Sequence, residues 1–200
     1  MTDWGVHHLD IILWAMKASD LEAVMCSARR LNTEEAGDVP DFHEAVWDYP
    51  GFTLTYSYSK FSDFRLGRNR PYDHGICFYG TDATLILDRF GFDIWDSPER
   101  GKDSVLVESV PRENPSERTN VVGLDHWATV FVAAVQKGGP TPLDLEASHR
   151  ATVPCLLANI SHKTGRRLKW RASDETIPGD SEACALLSEP RRKGYELPRI

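Results

Sequence analysis

Apolar residues first recur at helical spacing near the start of the chain. Leu9, Ile12, Leu13 and Met16 fall on one face of a helix predicted from about residue 4 to 17, with Asp3 at its N-cap. Residues 21–31 are apolar enough for a buried strand. The period then becomes two: Phe52, Leu54, Tyr56 and Tyr58 alternate with Thr53, Thr55, Ser57 and Ser59, as in a strand with one face on a core and one face polar. It pairs with residues 42–49 across Pro50-Gly51, which suits a type II turn. Four shorter strands are expected at 75–79, 84–88, 92–95 and 105–110, joined by Gly80-Thr81-Asp82-Ala83, by Arg89-Phe90-Gly91 and by the polar loop 97–103. From Leu124 the helical period returns through Trp127, Ala128, Phe131, Ala134 and Val135, stopping at Gly138-Gly139-Pro140. A second helix over 145–163 lies between Asp144 and Gly165 and contains Pro154, which predicts a kink at 150–154. A closing strand at 167–170, a short capped helix at 180–187 and an irregular tail at 188–200 complete the pattern.

These elements predict an α+β fold, an open, mostly antiparallel sheet of about six or seven strands with helices packed on one face. Residues 1–187 are expected to form the domain and 188–200 the tail. At 41% hydrophobic residues the chain buries a core. No apolar run approaches the roughly 18 residues of a membrane span, and the N-terminus lacks the pattern of a signal peptide. A cytoplasmic location, with no membrane partner, is therefore the expectation. The net charge of -7 argues against a nucleic-acid surface. Cys26, Cys77, Cys155 and Cys184 are dispersed, with neither disulfide-framework nor zinc-ligand spacing, so reduced thiols and no metal are expected.

The chemistry-bearing pattern is Asp3-x-x-x-His7. Residues four apart on a helix stand one above the other, so the carboxylate can reach the imidazole, set its tautomer and favour its protonated form. An N-cap aspartate followed by a half-buried histidine is the plainer reading of the same spacing. His8 points about 100° away around the helix and is expected to pack. In the polar loop 61–73, Arg68, Arg70 and Tyr72 are candidates for holding hydroxyls or a carboxylate, and His149 with Arg150 precedes the Pro154 kink. His43 reads as a strand residue facing solvent, His126 as a helix-start residue, and His74 and His162 as surface.

The whole string Asp3-Trp4-Gly5-Val6-His7-His8-Leu9-Asp10-Ile11 closely resembles the start of the C-terminal domain in the glucose-fructose oxidoreductase / inositol dehydrogenase / MocA (Gfo/Idh/MocA) family. Further resemblances follow in the same order: Gly80-Thr81-Asp82-Ala83-Thr84-Leu85, Asp125-His126-Trp127, Ser148-His149-Arg150-Ala151-Thr152, Asn159-Ile160, Gly165-Arg166-Arg167-Leu168-Lys169-Trp170 and Gly179-Asp180-Ser181-Glu182-Ala183. The resemblance implies the substrate-binding and oligomerisation half of an NAD- or NADP-dependent sugar or polyol dehydrogenase. In it, His7 is the general acid/base and Asp3 orients it and touches substrate. It also implies a homodimer or larger assembly through the sheet face.

The same family carries its cofactor on a Gly-rich βαβ unit, and no Gly-x-Gly-x-x-Gly occurs here. The chain therefore reads as a C-terminal piece that binds no NAD or NADP by itself and is not an active enzyme alone. The competing readings are a non-catalytic binding or assembly domain that kept the sheet and an independent hydrolase using His7. The last is disfavoured, since there is no Gly-x-Ser-x-Gly, no nucleophilic-cysteine context and no closely paired carboxylates.

Overall fold

In the computed structural model, the residues described are 1–61, 74–110 and 124–195, apart from 19, 33, 35, 36, 38, 89, 90, 99–101, 140–142 and 189. In chain order the elements are α1 (Trp4–Met16), β1 (Ala23–Arg29), β2 (Phe42–Tyr49), β3 (Phe52–Ser59), β4 (Ile76–Tyr79), β5 (Ala83–Asp88), β6 (Gly91–Asp96), β7 (Leu106–Ser109), α2 (Leu124–Lys137), α3 (Leu145–Thr164), β8 (Leu168–Lys169) and α4 (Ser181–Ala185). The chain has the α+β class that the hydrophobic pattern predicts. Its strands are distributed over two four-stranded antiparallel sheets, β3-β2-β1-β8 and β4-β5-β6-β7, where the pattern suggested one open sheet of about six or seven strands. Alternation reveals each strand but says nothing about pairing across the long non-periodic link between β3 and β4. The residues group into two compact units, one of Met1–Ser62 with Glu146–Ile200 and the other of Asp63–Leu145.

In the first unit, β2 joins β3 through a turn in which Gly51 has φ of 89°, the positive value required at the second central position of a type II turn. The pairing runs from Tyr49 opposite Phe52 to Phe42 opposite Ser59. With that register His43, Ala45, Trp47 and Tyr49 of β2 face inward and Glu44 and Val46 outward. His43 is thus buried, 6% exposed, and not solvent-facing. The two large aromatic residues set the face, and period two carries His43 inward with them. On β3, Leu54 is buried while Thr53, Thr55 and Ser57 are exposed, as the alternation requires.

The core gathers Leu9 of α1, Val24 of β1, Trp47 of β2, Leu157 of α3, Leu168 of β8 and Ile177 beyond it. α1 and α3 approach closely because Gly5 has no side chain. A Cβ there would lie 3.1 Å from Sδ of Met1 and 3.4 Å from Sγ of Cys155, and this contact offsets the roughly 1 kcal/mol that glycine costs inside a helix. Helix α3 runs unbroken through Pro154. The Trp47 indole N–H donates to the Pro154 carbonyl at 2.9 Å, tying sheet to helix. Ser161, fully buried, accepts from the Cys26 N–H at 3.0 Å and donates to the Arg166 carbonyl at 2.6 Å. Burial disfavours the charge of Asp41, yet its carboxylate accepts from the N–H groups of Leu31 and Asn32, and its pKa is lowered. The Arg166-…-Gly179-Asp180-Ser181-Glu182 stretch is also explained. Arg166 grips Asp180 with two hydrogen bonds of 2.9 Å and Glu182 with one of 2.8 Å, while Asp180 caps α4 by accepting from the Ala183 N–H.

In the second unit β4 to β7 form the antiparallel meander, each strand hydrogen-bonded to the next in sequence. The apolar stripe of α2 is present, and Trp127, Phe131 and Val135 on it are each more than half exposed. Among the described residues no helix is long and apolar enough to cross a membrane.

Trp47→Phe removes the indole donor and leaves a void beside the Pro154 carbonyl, so urea unfolding should show a loss of about 2 to 4 kcal/mol. Trp14→Phe, at a site 81% exposed, should stay within about 0.5 kcal/mol of the parent.

Candidate functional site

The first turn of α1 carries the pattern singled out from sequence. Asp3 occupies the N-cap position, but its side chain makes no capping hydrogen bond. Its carboxylate is therefore not spent on the helix terminus, and both Asp3 and His7 are exposed. No hydrogen bond joins the two in the described structure, so the expected direct contact is not formed in this conformation.

The rings around them form a row. His7 meets the Trp4 ring edge-on at 6.1 Å between centroids. His8, half-buried, lies 6.2 Å from Trp4 on one side and 6.1 Å from Tyr56 on the other. Tyr56 continues to His43 at 5.7 Å, nearly parallel, and His43 stacks on Tyr58 at 4.8 Å. The division of labour between the two adjacent histidines follows from the 100° step of the helix. Seating Leu9 and Gly5 in the core sends His7 outward and lays His8 on the sheet.

Burial dominates the electrostatics beneath this turn. Desolvation, with smaller contributions from Cys155, Tyr58 and Asp3, pushes Tyr56 up to about 12. Burial likewise pushes the Cys155 thiol up to about 12, in keeping with its fully enclosed place in the core. His43 is pushed down to about 4 by burial, then by the Met1 amine and His162, and its Nε2 has no hydrogen-bond partner. The Tyr49 hydroxyl is also buried without a partner, and burial raises its pKa.

The other predicted contacts are dispersed. Arg68, Arg70 and Tyr72 lie outside the described residues. His149 stands exposed on α3 with its Nε2 2.6 Å from Oε1 of Glu175, so its polar partner is an exposed carboxylate and not a residue of α1. Glu175 has φ of 50° in the turn between Arg171 and Thr176. Sequence reasoning did not bring His43, Tyr56 and Tyr58 to the site. The signal was available for His43, which shares the inward parity of Ala45, Trp47 and Tyr49. Among the described residues no three His, Cys, Asp or Glu side chains are grouped to hold a metal ion. What the turn offers chemically is an exposed imidazole able to take or give a proton and, at the N-cap, an exposed carboxylate able to accept hydrogen bonds.

No protein-family profile and no curated protein matches the sequence. Solved structures do match the fold. The oxidoreductase YvaA from Bacillus subtilis is 15% identical with a TM-score of 0.55, the match covering 84% of this chain and 51% of that one. An oxidoreductase from Agrobacterium radiobacter, solved in complex with NAD+, L-tartaric acid and magnesium, is 19% identical with a TM-score of 0.54 over 84% of this chain and 48% of that one. An NAD-binding protein from Listeria innocua is 16% identical with a TM-score of 0.54 over 84% and 46%. The chain thus spans about half the length of the structures it matches. Its fold is that of about half of each of these solved structures.

Proposed function

We propose that this chain is the substrate-binding and assembly half of an NAD(P)-dependent dehydrogenase acting on a sugar or polyol, with residues 1–187 as the working domain. The observation that carries the reading is the first turn of α1, where Asp3 and His7 are both exposed and neither is consumed by capping or by core packing. In this reading His7 takes the proton of a substrate hydroxyl in oxidation and returns it in reduction. Asp3 holds a neighbouring hydroxyl and stabilises the imidazolium that forms. His8 stays on Tyr56 and takes no part.

The chain's own residues do not fit a dinucleotide. Pyrophosphate binding wants a Gly-rich turn between a strand and the N-terminus of a helix in a parallel βαβ unit. The described sheets are wholly antiparallel and the sequence holds no such turn. The nucleotide is accordingly assigned to residues outside this chain. The outer side of α1 supports that division. Trp4, Ile11 and Trp14, at i−3, i+4 and i+7 from His7, share its helical face with exposure of 39%, 40% and 81%, and an exposed apolar stripe of this kind suits contact with another layer.

Arg68, Arg70, Tyr72 and His149 are the proposed substrate contacts. His149 would exchange Glu175 for a substrate hydroxyl at small cost, since both side chains of this contact are more than half exposed. Assembly is assigned to the outer face of the first sheet, where Met25 and Val46 are 50% and 39% exposed beside Thr53, Thr55 and Ser57. The same face is what favours the second reading, an assembly domain without chemistry.

With a dinucleotide-binding half supplied, His7→Ala should lower turnover by about two to four orders of magnitude, Asp3→Asn by less and His8→Ala little. Equal losses at His7 and His8 would remove the assignment. The 200-residue chain alone should give no saturable NADH fluorescence titration below about 1 mM, and a clear titration would contradict the assignment of the nucleotide elsewhere. In light scattering it should run as a dimer that Val46→Lys dissociates, because a charge on an apolar contact loses its hydration. A clean monomer of the parent at tens of micromolar would refute the sheet interface.

A further inference from the structure

We propose that His43 is a positioning residue for the first turn of α1, the buried foot of a row of rings that runs through Tyr56, His8 and Trp4 to His7 and holds that turn only while the His43 imidazole is uncharged. The positioning role rests on the reading that Asp3 and His7 carry the chemistry, whereas the coupling along the row does not.

The geometry is continuous. His43 sits opposite Tyr58 in the β2–β3 register and stacks on it at 4.8 Å, with Tyr56 nearly parallel at 5.7 Å. Tyr56 supports His8 at 6.1 Å, and Trp4 bridges His8 and His7 at 6.2 and 6.1 Å. Aromatic contacts at these separations are favourable and orientation-dependent, so a shift of Tyr56 is felt by His8. His43 is 6% exposed and its Nε2 makes no hydrogen bond. A neutral imidazole tolerates this. An imidazolium has lost its hydration and gains no acceptor for its second N–H.

The groups facing His43 do not rescue the charge. From β3 come the phenols of Tyr56 and Tyr58, whose ring faces offer a cation–π attraction that offsets part of the lost hydration. From α3 comes His162 and from the chain start the Met1 amine, and both push the imidazole towards its neutral form. From α1 comes His8, beyond Tyr56. With the native value near 4 and an unfolded value of about 6.5, the unfolded chain takes the proton first. The stabilising contribution is complete above about pH 6.5 and is lost as pH falls through that interval towards about 4.

The test follows histidine ring proton resonances of the 200-residue chain from about pH 8 to about pH 4, assigned by single histidine substitutions. His8 should show its own titration and a second inflection that coincides with the titration of His43. In His43→Phe, which keeps a ring in place, that second inflection should vanish and the acid-unfolding midpoint should move to lower pH. Should the phenylalanine variant fail to fold, Tyr56→Leu cuts the row while leaving His43 in place. His43 should then still titrate far below its ordinary range while His8 loses the second inflection. A His43 titration near pH 6 or above, or a second inflection at His8 that persists in either variant, would overturn the proposal. Turnover of the His7→Ala enzyme is a separate readout. Unchanged turnover with coupled His8 defeats the catalytic reading and leaves the row, and the opposite pair of results does the reverse.

Discussion

The burial of Trp47 governs the first unit. The indole is wholly enclosed, and a buried N–H must find an acceptor, which it does on Pro154, 107 residues away in sequence. That bond and the surrounding contacts fasten the early strands to a helix from the last third of the chain. They also set parity. With Trp47 inward, Ala45 and Tyr49 are inward, their neighbours are outward, and a slip of one residue would expose the whole row. The Leu54 side of β3 and the Val24 side of β1 are fixed by the same pairing, because Trp47 faces both across the sheet.

The candidate site inherits its geometry from this packing. Leu9 and Gly5 seat α1 against the core and against Cys155, and the helical step then decides which of two adjacent histidines faces out. His7 is presented and His8 is laid on Tyr56. Asp3, at the N-cap of the same helix, makes no capping hydrogen bond and is exposed. The polar residues elsewhere in this unit serve structure. Ser161 satisfies two backbone groups at once, Asp41 holds the N–H groups of Leu31 and Asn32, and Arg166 binds Asp180 and Glu182 to secure the segment leading into α4. Against that background two buried polar atoms of this unit, Nε2 of His43 and the Tyr49 hydroxyl, have no partner, and His43 is the one that stacks on Tyr56 and so connects to the presented turn.

Much of the fold is legible in the pattern of residues, since local periodicity is written by the same physics that buries one face. The strict alternation from Phe52 to Ser59, the stripe of α1, the Gly51 turn and the capped α4 are all read within a few residues of their observed limits. The exposure of His7 and the packing of His8 follow from the same local period, whereas the expected contact between Asp3 and His7 is not formed. What was misread was parity where the local signal is weak. A histidine at the start of β2 reads as polar and outward until Trp47 and Tyr49 are recognised as the residues that decide the face.

The sequence by itself therefore determined the elements, their class, and which of the two adjacent histidines of α1 faces out, because each depends on neighbours within one or two turns of chain. Only the tertiary structure decided that the strands divide between two sheets, that Asp3 leaves the cap unfilled, that His149 pairs with Glu175, and that His43 lies beneath α1 through Tyr56 and His8. All but the Asp3 cap depend on contacts between residues distant in sequence. Side-chain burial and close packing settle those outcomes once the chain has closed on itself.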